Sequence, residues 1–205
     1  MRQQLSAFQA VIAGNGPRRR QDDHSDESLV VRVAAGNRLA MQALFARHHL
    51  RVHRFLLRLV GSEATAEDLT SDVFLCLWQQ ASRFQARSSF STWLLAIARN
   101  KALSELRRRG EVAENGEETE IVDPADNPEV TCTLKRRREM LRKCLTRLRR
   151  EQREIIDLVY YHDKSVQEVA EIMHIPRNTV KTRMFYARRK LSQLLAAQGV
   201  ELHCV

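Results

Sequence analysis

At 205 residues the chain can hold one ordinary domain or two small ones, and a composition of 43% hydrophobic and 6% aromatic residues suits a helix-rich protein. Its net charge of +9 is unevenly spread: 13 cations against 7 anions in residues 26–109, 8 anions and no cation in 110–133, and 17 cations against 7 anions in 134–198. Two basic blocks flanking an acidic strip imply two polyanion-facing modules, and no apolar run approaches the roughly 20 residues of a membrane helix, which excludes membrane insertion.

Residues 1–25 are polar and turn-rich, and "LSAFQAVIAG" within them is too short, and too interrupted by Gln9, for a signal-peptide core. The pattern turns helical at "ESLVVRVAAG". Asn37 is a plausible N-cap for a long helix carrying Leu39, Leu44, Phe45, Val52, Phe55, Leu56 and Leu59, which Gly61 ends after Val60. Thr65 is the expected cap of the next helix, with Glu67 and Asp68 in its first turn and an end near Ser82. The loop "RFQARSS" leads to a fourth helix closed by Arg107, Arg108 and Arg109. Residues 110–133, with two Gly, two Pro and no periodicity, read as a mobile acidic linker. Helices over roughly 134–149, 151–161, 165–173 and 177–196 follow, and 199–205 form a short tail. Nothing alternates with a strand period, so the fold class is all-α.

In "SVQEVAEIMHIPRNTVKTRMFYARRKL" Ser165 and Glu168 make a capping box. Val166, Val169, Ala170 and Met173 form the inward face of that helix, and Pro176 stands near the start of the next. There Val180, Met184, Ala187 and Leu191 form a core stripe. Asn178, Thr182, Phe185, Tyr186 and Arg189 fall on the far side, flanked by Arg177, Lys181, Arg183 and Arg188. Cations that reach phosphates beside shorter side chains that face base edges suit a helix laid in a major groove.

In the first block, "ATAEDLTSDVFLCLWQQ" has one apolar ridge of Leu69, Val73 and Leu77 and a second of Phe74 and Trp78. Downstream, Trp93, Asn100 and Arg107 are spaced by seven and stand nearly in line. An aromatic, an amide and a cation in one row are what single-stranded DNA binding uses, although Trp93 is equally suited to a half-buried core position.

These segments resemble the sigma-70 family of transcription initiation factors, in its extracytoplasmic-function (ECF) group. "YYHDKSVQEVAEIMHIPRNTVKTRMFYARRKL" is similar to region 4, and the resemblance implies −35 contacts from Arg177, Asn178, Lys181, Thr182, Arg183, Phe185 and Tyr186. "ATAEDLTSDVFLCLWQQ" is similar to region 2.2, which implies that Asp68, Leu69, Asp72, Val73, Phe74, Leu77 and Trp78 bind the polymerase core. "FQARSSFSTWLLAIARNKALSELRRR" resembles regions 2.3 and 2.4, which implies −10 contacts from Ser88, Ser89, Phe90, Thr92, Trp93, Asn100, Lys101 and Arg107, with Phe90 and the polar loop 85–89 cradling an unstacked base. Ser71, Ala96, Glu105 and Tyr186 depart from the family pattern, which usually has Gln, Arg, Asp and Arg at these places.

The resemblance implies two small helical domains, a region 2 bundle over 26–109 and a region 4 helix-turn-helix over 134–198, with no room for region 3 between them. It implies an ECF sigma factor that binds the β′ clamp helices and β flap of RNA polymerase core, reads −35 and −10 promoter elements, and is held by an anti-sigma factor. A helix-turn-helix repressor or activator acting alone, or a polymerase adaptor that reads no DNA, are the other classes. A gel shift with and without core polymerase separates the three. No nucleophile–base pair, Gly-rich phosphate loop or metal cluster points to an enzyme or a cofactor. His49 and His53 have metal-ligand spacing but no third ligand, and Cys76, Cys132, Cys144 and Cys204 have neither CxxC nor zinc spacing, so they read as buried or idle thiols in a reducing cytoplasm. Limited proteolysis is expected to cut first between residues 110 and 130; preferential cleavage within 30–105 or 140–195 would place the module boundary elsewhere.

Overall fold

The computed structural model describes residues 25–110 and 132–198, with side chains from residue 139 onward in the second stretch. The expected N-terminal tail, acidic linker and C-terminal tail lie outside the described residues, but for their edges. Within these stretches the structure is helical: α1 (Asp26–Ala34), α2 (Arg38–Val60), α3 (Glu63–Gln80), a 3-10 turn (Ala81–Arg83), α4 (Phe90–Arg108), α5 (Cys132–Thr146), α6 (Arg150–Tyr160), α7 (Val166–Met173) and α8 (Arg177–Ala196). No strand occurs among the described residues. The all-α reading is correct.

The caps explain most boundaries. Asn37 accepts from the Ala40 N–H, and Gly61 ends α2 in the left-handed region at φ 69°, where the missing Cβ removes the steric cost. The expected cap at Thr65 is displaced by one turn. Ser62 caps α3, accepting from both the Thr65 N–H and its hydroxyl. Serine is the better cap, and Thr65 is then free to turn inward as a buried residue. The box between Ser165 and Glu168 forms as expected, and His174 ends α7 in the left-handed region. Pro176 is the N-cap of α8, one position earlier than the first helical residue.

In the first module α1, α2, α3 and α4 pack about Leu29, Leu44, Phe55, Leu56, Leu77 and Leu94. Each such side chain contributes about 1.5–3 kcal/mol on burial. Asp26 ties α1 to α2, 2.7 Å from His48 Nε2 and 2.9 Å from Arg47. On α4 the fully buried Ala98 and Ala102 let neighbouring helices approach closely. In the second module α6, α7 and α8 pack through Ile155, Leu158, Val169, Ile172, Val180 and Ala187, and α5 lies on α8. Ile172 belongs to this core although the expected inward face omitted it.

The modules also touch. Helix α7 lies against α4, and α6 reaches α2. One hydrophobic cluster runs through both modules.

Candidate nucleic-acid interface

Helix α8 separates its two faces as its periodicity requires. Val180, Met184 and Ala187 are buried, Leu191 is half-buried, and Leu194 and Leu195 extend the stripe. Opposite them Arg177, Asn178, Lys181, Thr182, Arg188 and Arg189 are exposed, as are Phe185 at 60% and Tyr186 at 53%. The Phe185 and Tyr186 rings meet edge to face at 5.5 Å, which orders two large side chains without burying them. Arg183 is half-buried and 3.1 Å from Glu151, and Arg188 stacks over Tyr160 at 5.7 Å, so these two of the flanking cations lie against α6.

Along α4, Asn100 and Arg107 are exposed, and Trp93 is half-buried against Phe84 and Phe90 at 5.3 and 6.2 Å. Trp93 is therefore partly a core residue, with part of its ring left open. Lys101 lies 3.6 Å from Asp72. Arg109, by contrast, is committed to structure: it donates to Glu105 and to Thr65. Hydrogen bonds from Arg108 and then Arg109 hold the Glu105 carboxyl at about 2. Two residues expected to meet DNA do not reach solvent. Phe90 is 1% exposed and packs on His48, Phe84 and Trp93, so it cannot cradle a base; its apolar ring is the first core residue of α4. Thr92 is equally buried, for a different reason given below.

Helix α3 requires a larger correction. Leu69, Val73, Phe74 and Leu77 are all core residues and cannot touch a partner directly. The two apolar ridges both face inward, because α2 and α4 pack on α3 from two sides. Phe74 meets Phe45 edge to face at 4.8 Å. Asp68, Ser71, Asp72, Leu75 and Trp78, at 37% for the last, form the outward face.

The residues that join the modules were not singled out as joining residues in the sequence. Arg99 of α4 donates to Glu154 of α6 and, at 3.4 Å, to the Met173 carbonyl of α7. Arg58 of α2 pairs with Asp157, stacks over Tyr161 at 4.7 Å, and lies 3.3 Å from His162. At the start of α4, Glu168 Oε1 accepts from the Thr92 hydroxyl at 2.7 Å and the Ser89 hydroxyl at 3.1 Å. Lys164, buried, donates to Ser91 at 2.6 Å and Thr92 at 3.0 Å, and lies 3.1 Å from Glu168. Thr92 is buried by this cluster. A sequence signal existed: Glu154 and Asp157 interrupt the ridge that carries Ile155 and Leu158, and an acid on an apolar face needs a basic partner.

Electrostatics follow the geometry. Burial pushes the Glu154 carboxyl up, while the hydrogen bond and charge of Arg99 pull it back. For Glu168 burial, the largest influence, also acts to raise the carboxyl. Hydrogen bonds from Thr92, the Ser165 backbone, Lys164 and the Ser165 hydroxyl together outweigh it and hold the group at about 2. Its stabilising contribution is therefore present above the ordinary 4.5 and is lost as pH falls through about 2. His49 donates to the Phe45 carbonyl and His53 lies 3.1 Å from Glu63, so the two share no ligand geometry.

Residues 44–112 match the family model Sigma-70 region 2, and residues 138–191 match Sigma-70, region 4. The ECF RNA polymerase sigma factor SigL of Mycobacterium tuberculosis is 32% identical over 172 residues, covering 82% of this chain and 96% of that protein. The chain belongs to the ECF group of the sigma-70 family. It is a transcription initiation factor whose partners are RNA polymerase and promoter DNA. Solved relatives share its fold: CnrH in complex with the cytosolic domain of CnrY, at TM-score 0.63 and 25% identity, covers 84% of this chain and 97% of that one. The sigma factor RpoE in complex with the anti-sigma factor NepR from Bartonella quintana, at TM-score 0.60 and 25% identity, covers 76% of this chain and 96% of that one. No helix of the described residues is long and apolar enough to cross a membrane. Because Phe74 of this sigma factor is core, Phe74→Ala is expected to lower unfolding stability by about 3–5 kcal/mol in a urea titration; a loss under 1 kcal/mol would return Phe74 to the surface.

Proposed function

We propose the following division of labour within this sigma factor, which acts in the cytoplasm and catalyses no reaction itself. The observation that carries it is the outer face of α8, where Asn178, Thr182, Phe185 and Tyr186 stand exposed among cations on a helix whose other side is core. That face reads the −35 element, with Arg177, Lys181 and Arg183 supplying phosphate contacts. Asn100, Lys101, Arg107 and the exposed edge of Trp93 read the −10 element, together with Ser88 and Ser89 at the head of α4. Core polymerase docks on the outward face of α3, through Asp68, Asp72 and Trp78. The buried Leu69, Val73, Phe74 and Leu77 act there only by holding the helix in place.

An anti-sigma factor is proposed as the inhibitory partner. The support is that RpoE of Bartonella quintana was solved with one, and this chain has that fold. The module limits of 26–109 and 134–198 are part of the same proposal.

Reversing the acids tests the docking face. The pair Asp68→Arg and Asp72→Arg, on exposed positions, is expected to keep wild-type circular dichroism and to weaken holoenzyme formation at least tenfold, the effect of losing about 1.4 kcal/mol. A folded double variant that assembles at wild-type affinity would sink the assignment.

Promoter reading is tested by randomised-promoter selection with mutant holoenzymes. Tyr186→Arg is expected to change base preference at one −35 position, because arginine's fork pairs guanine and tyrosine cannot, with about 1–3 kcal/mol of discrimination there. Asn100→Ala is expected to alter −10 preference alone. Unchanged −35 selection in the first and unchanged −10 selection in the second would defeat the division.

A further inference from the structure

The first two turns of α6 hold more positive charge than their neighbours neutralise. Glu151 is drawn to Arg183 of α8, Gln152 accepts from the Arg149 N–H, and Glu154 and Asp157 pair with Arg99 and Arg58 of the first module. Arg150 and Arg153 are left over. Both are half-buried, and neither finds a hydrogen-bond or ion-pair partner among the described residues. With Arg58, Leu59, Glu154 and Asp157 they line a cleft of about 260 Å³, partly open to solvent, between α2 and α6. A guanidinium carries five N–H donors, and a half-buried one without an acceptor needs a ligand or water to satisfy them. Burial, and then the charge of Arg150, push the Arg153 guanidinium down from its ordinary value, as expected of a cation with no anion beside it. We propose that this cleft is a binding site for a phosphoryl group, held by Arg150 and Arg153 with Arg58 on the wall that α2 supplies.

Charge and size choose the ligand. Among the charged side chains of the lining, Arg58 and Asp157 cancel, and Glu154 is matched by Arg99 from outside the lining, so the charges of Arg150 and Arg153 remain uncompensated. A phosphoryl group, close to doubly charged at neutral pH, neutralises both, whereas a single carboxylate neutralises one. The planar fork of arginine also takes phosphate oxygens two at a time. At about 260 Å³ the cleft falls below the roughly 300–1,000 Å³ of sites for drug-sized organic ligands, so a phosphoryl group enters and any bulk attached to it stays outside. Arg54 and Arg51 stand one and two turns before Arg58 on the same side of α2, a row of cations that leads toward the cleft and concentrates anions near it. The site is separate from the proposed promoter-reading faces of α4 and α8, none of whose residues lines it.

Phosphorus NMR of inorganic phosphate titrated with the full chain, at constant ionic strength in chloride, is expected to show saturable binding. Arg153→Gln and Arg150→Gln are each expected to weaken it about tenfold, the loss of about 1.4 kcal/mol. Arg153→Lys, which keeps the charge and loses the fork, is expected to fall between wild type and Arg153→Gln. Arg38→Gln removes an exposed cation of the first module outside the cleft and is expected to leave the affinity unchanged. Binding that does not saturate, or that Arg38→Gln weakens as much as Arg153→Gln does, is general attraction to a basic chain and overturns the site. Succinate that competes as well as phosphate overturns the phosphoryl class. A nucleoside monophosphate that binds more tightly than inorganic phosphate assigns the group to a nucleotide, and one that binds no better assigns it to free phosphate; either result upholds the site. If Arg153→Gln loses the circular dichroism of the wild type, Arg150→Gln decides alone, and wild-type phosphate affinity in that folded variant overturns the proposal.

Discussion

The most deeply buried ion pair between the two modules, Arg99 with Glu154, anchors their contact alongside Arg58–Asp157 and the Glu168–Thr92 cluster. Glu154 is 3% exposed, and a carboxylate at that depth is tolerated only with a cation and hydrogen bonds beside it. Its partner comes from the other module. Removing one member of such a pair typically costs about 3–5 kcal/mol, because the remaining charge stays buried and unmatched. Apolar surfaces can slide over one another with little change in energy. A guanidinium on a carboxylate and on the Met173 carbonyl has one good geometry, so this pair sets the register of α4 against α6 and α7.

Helix α4 is consequently asked to do three things, and its residues divide along three lines. Phe90, Leu94, Leu95, Ala98, Ala102 and Leu106 fill the first module's core. Thr92 and Arg99, seven residues apart and so nearly in line, meet the second module. Trp93, Asn100 and Arg107 follow one residue behind them and remain at least partly open. The row we propose to face DNA and the module-facing row are neighbours on one cylinder. A change in module packing therefore acts at once on the surface proposed to read the −10 element, whereas α8 presents its outer face independently of α4.

Much of the fold was legible in the residues. Asn37, Gly61 and the Ser165–Glu168 box act over three or four residues, and local hydrogen bonds formed where the local pattern placed them. The Thr65 cap was misplaced because Ser62, Glu63 and Thr65 all satisfy the pattern of a helix start, and only packing decides which hydroxyl turns inward. The error on α3 is of another kind. Two apolar ridges on a helix are compatible with one buried face and one docking face, or with two buried faces. Only the positions of α2 and α4 choose between them.

The sequence by itself determined the helices, their caps, the two basic blocks and the motifs that carry family membership, because each of these is written in residues close together along the chain. It also determined the outward chemistry of α8, whose stripe and its opposite face follow from one helical period. The tertiary structure alone decided that Phe90 and Phe74 are core, that Thr92 is covered, and that Arg58 and Arg99 of a strongly basic chain are spent on Asp157 and Glu154. Those partners lie 99 and 55 residues away along the chain. Composition counts a cation without saying what it will meet, and the low dielectric that makes a buried pair obligatory exists only once both modules are folded.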